Sequence, residues 1–291
     1  MGLVVAVTAI LNLDTSVWFL TPVLVHAARA RGADERPFLY GSVMMANAAS
    51  LILPGSNLTN LIVLAHEHVA GATFAARIWP AWVAAVLVTG VVVRLSFASS
   101  ADPEHELPAA PDWQLGLGAL GIVAAGTLVL VLKAPALPVL ALGVLLVLVR
   151  RSPWRDVRRA ASPLVLGSLF ALAVVLGTIA RTTGWFQHVV EAHARWTVAA
   201  LAAGVSVITN NLPAAVLLAS HQPTHARALL IGLNLGPNLF VTGSLSAYLW
   251  WRAAQTVAAP RSVKTYAGIG VVVVPLSMAA ALIALQLLSN G

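Results

Sequence analysis

Leu53-Pro54-Gly55-Ser56-Asn57-Leu58-Thr59-Asn60 stands within an otherwise apolar stretch, residues 38–64. Without that interruption the stretch would cross the hydrocarbon layer as one helix, which takes about 20 residues. Proline and glycine break the helix, and serine, threonine and two asparagines put polar groups at a depth where lipid offers them no partner. Such a break is tolerated only where it faces protein or a water-filled cavity, so it marks a polar site inside a membrane protein. A second stretch of the same design covers residues 228–251. It is broken at Leu235-Gly236-Pro237-Asn238 and followed by Thr242-Gly243-Ser244.

The rest of the chain agrees with this reading. Of its 291 residues 59% are hydrophobic and 9% are charged, whereas soluble globular chains carry roughly 25% charged residues. Apolar runs near span length recur throughout, without the long polar and apolar alternation of an outer-membrane barrel. The expected fold class is all-α: a polytopic membrane protein with inverted repeats, re-entrant hairpins and broken transmembrane helices, placed in the cell membrane. The formal charge of +7 does not point to nucleic acid, because the basic residues lie in short connections and are not interleaved with base-stacking aromatics. There is no cysteine, so disulfides and thiolate metal sites are excluded. No phosphate-binding loop, serine-histidine pair or metal-ligand spacing occurs, and neither an enzyme nor a bound cofactor is expected.

The order of segments repeats. Residues 1–31 form two short apolar arms around Asn12-Leu13-Asp14-Thr15-Ser16, which fits a re-entrant hairpin. The broken helix of 38–66 and a plain span of 77–97 complete a first repeat, and 98–112 is an acidic connector. Scaffold spans fill 113–181, with a strongly basic loop from Arg150 to Arg159, and 185–195 reads as an interfacial helix between Trp185 and Trp196. Residues 196–221 again give short arms, here around Thr209-Asn210-Asn211-Leu212-Pro213. The second broken helix (226–252) and a last span (265–288) close the second repeat. Paired interrupted segments in corresponding positions point to an inverted-repeat transporter with a shared midplane site. With the first hairpin opening to the cytoplasm, twelve Lys and Arg residues fall on that side and five on the other, as the positive-inside rule requires.

The breaks also indicate chemistry. Free N–H groups at half-helix starts suit an anion or the oxygens of a neutral hydroxide, and carbonyls at the opposing half-helix ends suit a cation. Asp14, Thr15 and Ser16 can cap the returning arm of the first hairpin, and Asn210 and Asn211 that of the second. Ser56, Asn57, Thr59 and Asn60 supply hydroxyls and amides at one break; Asn234, Asn238, Thr242 and Ser244 do so at the other. The plain alternative is that these residues only cap broken helices. Asp14 differs from the rest as the only carboxylate inside an apolar segment, and it is assigned the coupling proton. His66-Glu67-His68 lacks the spacing of a helical zinc site, and His221 and His225 read as turn residues.

At the interrupted segments the chain resembles the arsenite efflux permease branch of the ion transporter superfamily. The carrying residues are Leu13-Asp14-Thr15-Ser16 with Leu20-Thr21-Pro22, Ala49-Ser50-Leu51, Ser56 to Asn60, Thr209 to Pro213, Asn234 to Asn238 and Thr242-Gly243-Ser244-Leu245. The resemblance implies efflux of arsenic or antimony hydroxides, driven by protons or aided by a partner ATPase, in a homodimer. It implies binding residues Ser56, Asn57, Asn60, Asn210, Asn211, Asn238 and Ser244, with Asp14 beside them. Family members begin with further spans ahead of the first hairpin, so a truncated or misplaced start is also expected. Within the same fold the rivals are a sodium/proton antiporter and a carboxylate carrier; outside it, a non-transporting fragment.

Overall fold

The computed structural model describes residues 1–65, 67, 69–98, 136–151, 153–161, 163–184 and 194–289, with residue 191 and single positions between 120 and 132. Regular structure among them is entirely helical. Helices α1 (Gly2–Leu11) and α2 (Leu13–Ala30) are parted by one residue, Asn12. Then come α3 (Arg36–Ala49), a 3-10 turn η1 (Pro54–Ser56), α4 (Leu58–Leu64) and the long α5 (Gly71–Ser96). After them the structure describes α6 (Ala136–Arg150), α7 (Trp154–Ala161) and α8 (Pro163–Thr183). Again one residue, Asn210, parts α9 (Arg195–Thr209) from α10 (Asn211–Leu218). The chain closes with α11 (Ala226–Leu235), a 3-10 turn η2 (Gly236–Leu239), α12 (Leu245–Thr256) and α13 (Val263–Ser289).

Local sequence explains these boundaries. Pro54 and Pro237 open the two 3-10 turns, where a missing N–H costs little. Asn57 and Ser244 then restart the helices, because each side chain accepts a free backbone N–H of the next turn: Thr59 N to Asn57 Oδ1 at 3.1 Å and Ala247 N to Ser244 Oγ at 3.1 Å. The basic stretch after Arg150 carries α7, eight residues whose Arg155 and Arg158 are exposed. The expected connector at 98–112, the span at 113–132 and the interfacial helix at 185–195 lie almost wholly outside the described residues.

Among the described helices α5 and α13 are long and apolar enough to cross a membrane, and they share the most extensive helix-to-helix interface. Around this pair the packing crosses over. α2 lies against α12, while α10 lies against α4. In membranes, helices associate through close van der Waals fit and small residues more than through expulsion of water. Gly232 on α11 illustrates this: a Cβ there would collide with the Ala199 carbonyl oxygen on α9.

Trp250 anchors one of the two buried clusters. It is fully buried, its Nε1 donates to the Leu39 carbonyl at 2.7 Å, and its ring centroid lies 5.3 Å from those of both Tyr40 and Tyr266. Truncation to alanine removes the ring and leaves a cavity, at a cost of about 3–5 kcal/mol. Trp250→Ala should therefore lower the thermal unfolding midpoint of the solubilised protein by about 10 °C. Trp250→Phe, which keeps most of the ring and loses the hydrogen bond, should lower it by less than half as much.

Candidate functional site

The two tips are built alike. Asn12 has φ 141° and ψ 170°, and Asn210 has φ 79° and ψ 149°. Positive φ with ψ of 149° and 170° lies outside the left-handed helical well that asparagine favours, in a region that residues other than glycine rarely adopt. Such backbone costs on the order of 1–3 kcal/mol and persists only where the surroundings impose it. Each asparagine also caps the helix that follows: Thr15 N donates to Asn12 Oδ1 at 2.9 Å, and Leu212 N to Asn210 Oδ1 at 3.3 Å. Asn210 thus takes the capping role expected of it. The expectation is corrected for Asp14, Thr15 and Ser16, which belong to the first turn of α2, and for Asn211, which is the first residue of α10.

The second tip is tied to the second break. Asn211 N donates to the Gly243 carbonyl at 2.8 Å, and Thr242 Oγ1 donates to the Val207 carbonyl at 2.8 Å. Asn210 and Asn211 are thereby held beside Ser244. At the first tip, α1 packs on η1.

Between the two breaks runs a buried set of amides and hydroxyls. Asn234 on α11 accepts from Ser50 Oγ at 2.8 Å and from Asn57 Nδ2 at 2.9 Å through Oδ1. Its Nδ2 donates to Asn60 Oδ1 at 2.8 Å and to the Leu230 carbonyl at 2.9 Å. Asn47 on α3 donates to Asn238 Oδ1 at 2.8 Å, and its own Oδ1 accepts from Ser246 Oγ at 3.4 Å. Ser246 in turn shares a hydrogen bond of 2.7 Å with Ser244. Asn47, Asn60, Asn234, Asn238 and Ser246 have no exposed surface, and an amide so placed is tolerated because its donors and acceptors are matched.

Several carbonyls at and near the breaks accept from side chains of the chain itself. Ser50 O and Leu53 O accept from Asn60 Nδ2 at 2.8 and 2.9 Å and also from Ser56 Oγ. Met44 O accepts from Asn238 Nδ2 at 3.1 Å, Ala49 O from Trp82 Nε1 at 3.1 Å and Pro237 O from Tyr266 Oη at 3.1 Å.

The eight residues expected at the site therefore fall into two groups. Ser56, Asn57, Asn60, Asn238 and Ser244 are brought together, at 6% exposure or less, as members of the frame around the breaks. Asp14, Asn210 and Asn211 stand at the tips. Asp14 is half-buried, and its carboxyl has no hydrogen bond or ion pair among the described residues. Asn211 keeps its side-chain amide unpaired in the same sense. Thr59 Oγ1, in the first turn of α4, is a buried hydroxyl without a partner among the described residues. Asn47 and Ser246 are absent from the expected set. A signal for Asn47 exists, since Asn47 and Asn234 each precede by ten residues the cap that restarts their broken helix, Asn57 or Ser244.

The residues so assembled are amides and hydroxyls with one carboxyl at a tip, and no metal-ligand cluster occurs among the described residues. A family model described as "Citrate transporter", CitMHS, matches residues 1–284. The chain belongs to the CitMHS family. That family lies within the ion transporter superfamily and consists of transporters, not enzymes, so the chain is a membrane transport protein acting on a small solute. The CitMHS match covers both tips, both breaks and the crossed packing between them. It does not single out the arsenite branch.

Proposed function

We propose that this chain is a secondary transporter of a citrate-type carboxylate, coupled to protons through Asp14. The observation that carries the reading is the set of four helix starts at the tips and breaks. α2, α4, α10 and α12 each begin there with the positive end of the helix dipole, which suits a carboxylate, and each start is bordered by an amide or hydroxyl cap, Asn12, Asn57, Asn210 or Ser244. In this reading Asn210, Asn211 and the caps Asn57 and Ser244 hold the cargo or the groups that touch it, and Ser56, Asn60 and Asn238 set the frame.

Two inverted repeats with re-entrant hairpins are part of the same proposal. Support comes from the matched tips at Asn12 and Asn210, the matched caps at Asn57 and Ser244, and the reciprocal packing of α2 on α12 and α10 on α4.

The test is uptake into proteoliposomes holding the purified protein. An inward proton gradient should drive accumulation of labelled citrate, and an inward sodium gradient at equal pH should not. Arsenite is the second cargo to be offered, since the sequence motifs resemble those of arsenite permeases. Movement of arsenite without citrate would replace the carboxylate reading with the efflux one, and sodium-driven citrate uptake would remove Asp14 from the coupling role.

A further inference from the structure

Side-chain hydrogen bonds cross from one broken helix to the other in both directions. From the first half, Asn47 reaches the second break by donating to Asn238 Oδ1 at 2.8 Å and accepting from Ser246. From the second half, Asn234 reaches the first break, accepting from Asn57 Nδ2 at 2.9 Å and donating to Asn60 Oδ1 at 2.8 Å. Asn57 is the residue whose Oδ1 caps α4, so its only remaining amide function is committed to Asn234. Ser246 is bonded to Ser244, the residue that caps α12. Each of the two inner asparagines thus fixes the rotamer of a capping residue, or of its immediate partner, in the opposite half.

We infer that Asn47 and Asn234 are positioning residues that make the cargo geometry at each break depend on the other half. The start of α4 is aimed by a residue on α11, and the start of α12 by a residue on α3. Neither asparagine has any exposed surface, so both act through the capping residues and not by touching cargo. Asn234 makes four hydrogen bonds within the chain, and Asn47 makes one as donor and one as acceptor. Removing one amide leaves buried partners unmatched and lets the cap turn, and a cap that turns misaims the helix start that follows it.

The inference rests on the transporter reading and refines its site. The experiment compares wild type with Asn47→Ala, Asn234→Ala and Asn57→Asp in proteoliposomes, measuring KM and Vmax for the solute that the wild type carries. Asn57→Asp still caps α4 through a carboxylate oxygen and loses the donor to Asn234, but it adds a charge beside the cargo, so its KM is read together with those of the two alanine variants, which touch no cargo. All three should raise KM by about tenfold, the equivalent of one lost hydrogen bond of about 1.4 kcal/mol, with Vmax within a factor of two for protein that reconstitutes. Asn234→Asp keeps the acceptor for Ser50 and Asn57 and loses the donors to Asn60 and to the Leu230 carbonyl, so it should raise KM about as much as Asn234→Ala. It also serves where the alanine variant does not fold. A lowered unfolding midpoint with KM unchanged across these variants would overturn the inference and leave the asparagines with a stabilising role alone. A wild type that carries no citrate but carries another solute would instead count against the carboxylate reading, and the same KM comparison would then be made with that solute.

Discussion

Replacing Asp14 by asparagine is expected to abolish proton-driven accumulation of cargo while leaving cargo exchange in place. Asp14 sits in the first turn of α2, half-buried, with no hydrogen bond or ion pair among the described residues. The fold therefore does not depend on its charge, and asparagine has nearly the same shape. What is lost is the ability to take up and release a proton at membrane depth, which is the usual reason for an ionisable group to stand there. In proteoliposomes with an inward proton gradient the steady-state accumulation ratio should fall to about one. Counterflow, in which outside label exchanges with unlabelled cargo inside at equal pH, should stay within a few-fold of wild type. Retained uphill accumulation in Asp14→Asn would move the coupling proton elsewhere.

A second large effect is expected at Gly270. It lies on α13 where that helix crosses η2, and a Cβ placed there would overlap the Asn238 carbonyl oxygen and come within 2.9 Å of Leu239 Cα. These are backbone atoms, which cannot swing aside as a flexible side chain can. Gly270→Val must push α13 away from the second break, and with it Tyr266, whose hydroxyl donates to the Pro237 carbonyl. Overpacking of a tight contact costs about 1–3 kcal/mol where neighbours can adjust. Here the neighbour is the backbone that carries Asn238, so the damage reaches the buried amides as well. Loss of monodisperse protein on size-exclusion chromatography is the expected result, whereas Gly268→Val, where a Cβ meets nothing within 4 Å, should purify normally. Equal behaviour of the two variants would show that the crossing at η2 is not tight in the membrane.

Much of this was readable from the chain alone, for identifiable reasons. Proline and glycine followed at once by amides and hydroxyls located both breaks, whereas the lone prolines Pro22, Pro80 and Pro275 sit inside continuous helices. The tips were placed to within a few residues, but their inner construction was not. Asp14, Thr15 and Ser16 are ordinary residues for a helix's first turn, and polarity alone could not separate them from Asn12, whose positive φ does the turning. Whether Asn57, Asn60 and Asn238 face cargo or each other was likewise open in the sequence. Their partners lie across the fold: Asn57 and Asn234 are 177 positions apart, and no local pattern records such a pairing. Asn47 sits in the plain run Met45-Ala46-Asn47-Ala48-Ala49 and becomes visible only when its ten-residue offset from Asn57 is set beside that of Asn234 from Ser244.

The reciprocal bonding of the breaks bears on how the chain is made. Asn57 and Asn60 leave the ribosome long before Asn234, the residue that satisfies them, and at about 5–20 residues per second the interval is on the order of ten to thirty seconds. During that time a helix with a polar gap would sit in lipid with Asn57 Nδ2 and Asn60 Oδ1 unmatched, the other ends of these two amides being bonded within the first half, a condition that lipid penalises by several kcal/mol for each group. The nascent first half must therefore wait beside water or within the insertion machinery until the second half arrives, and its final burial is an event of late synthesis.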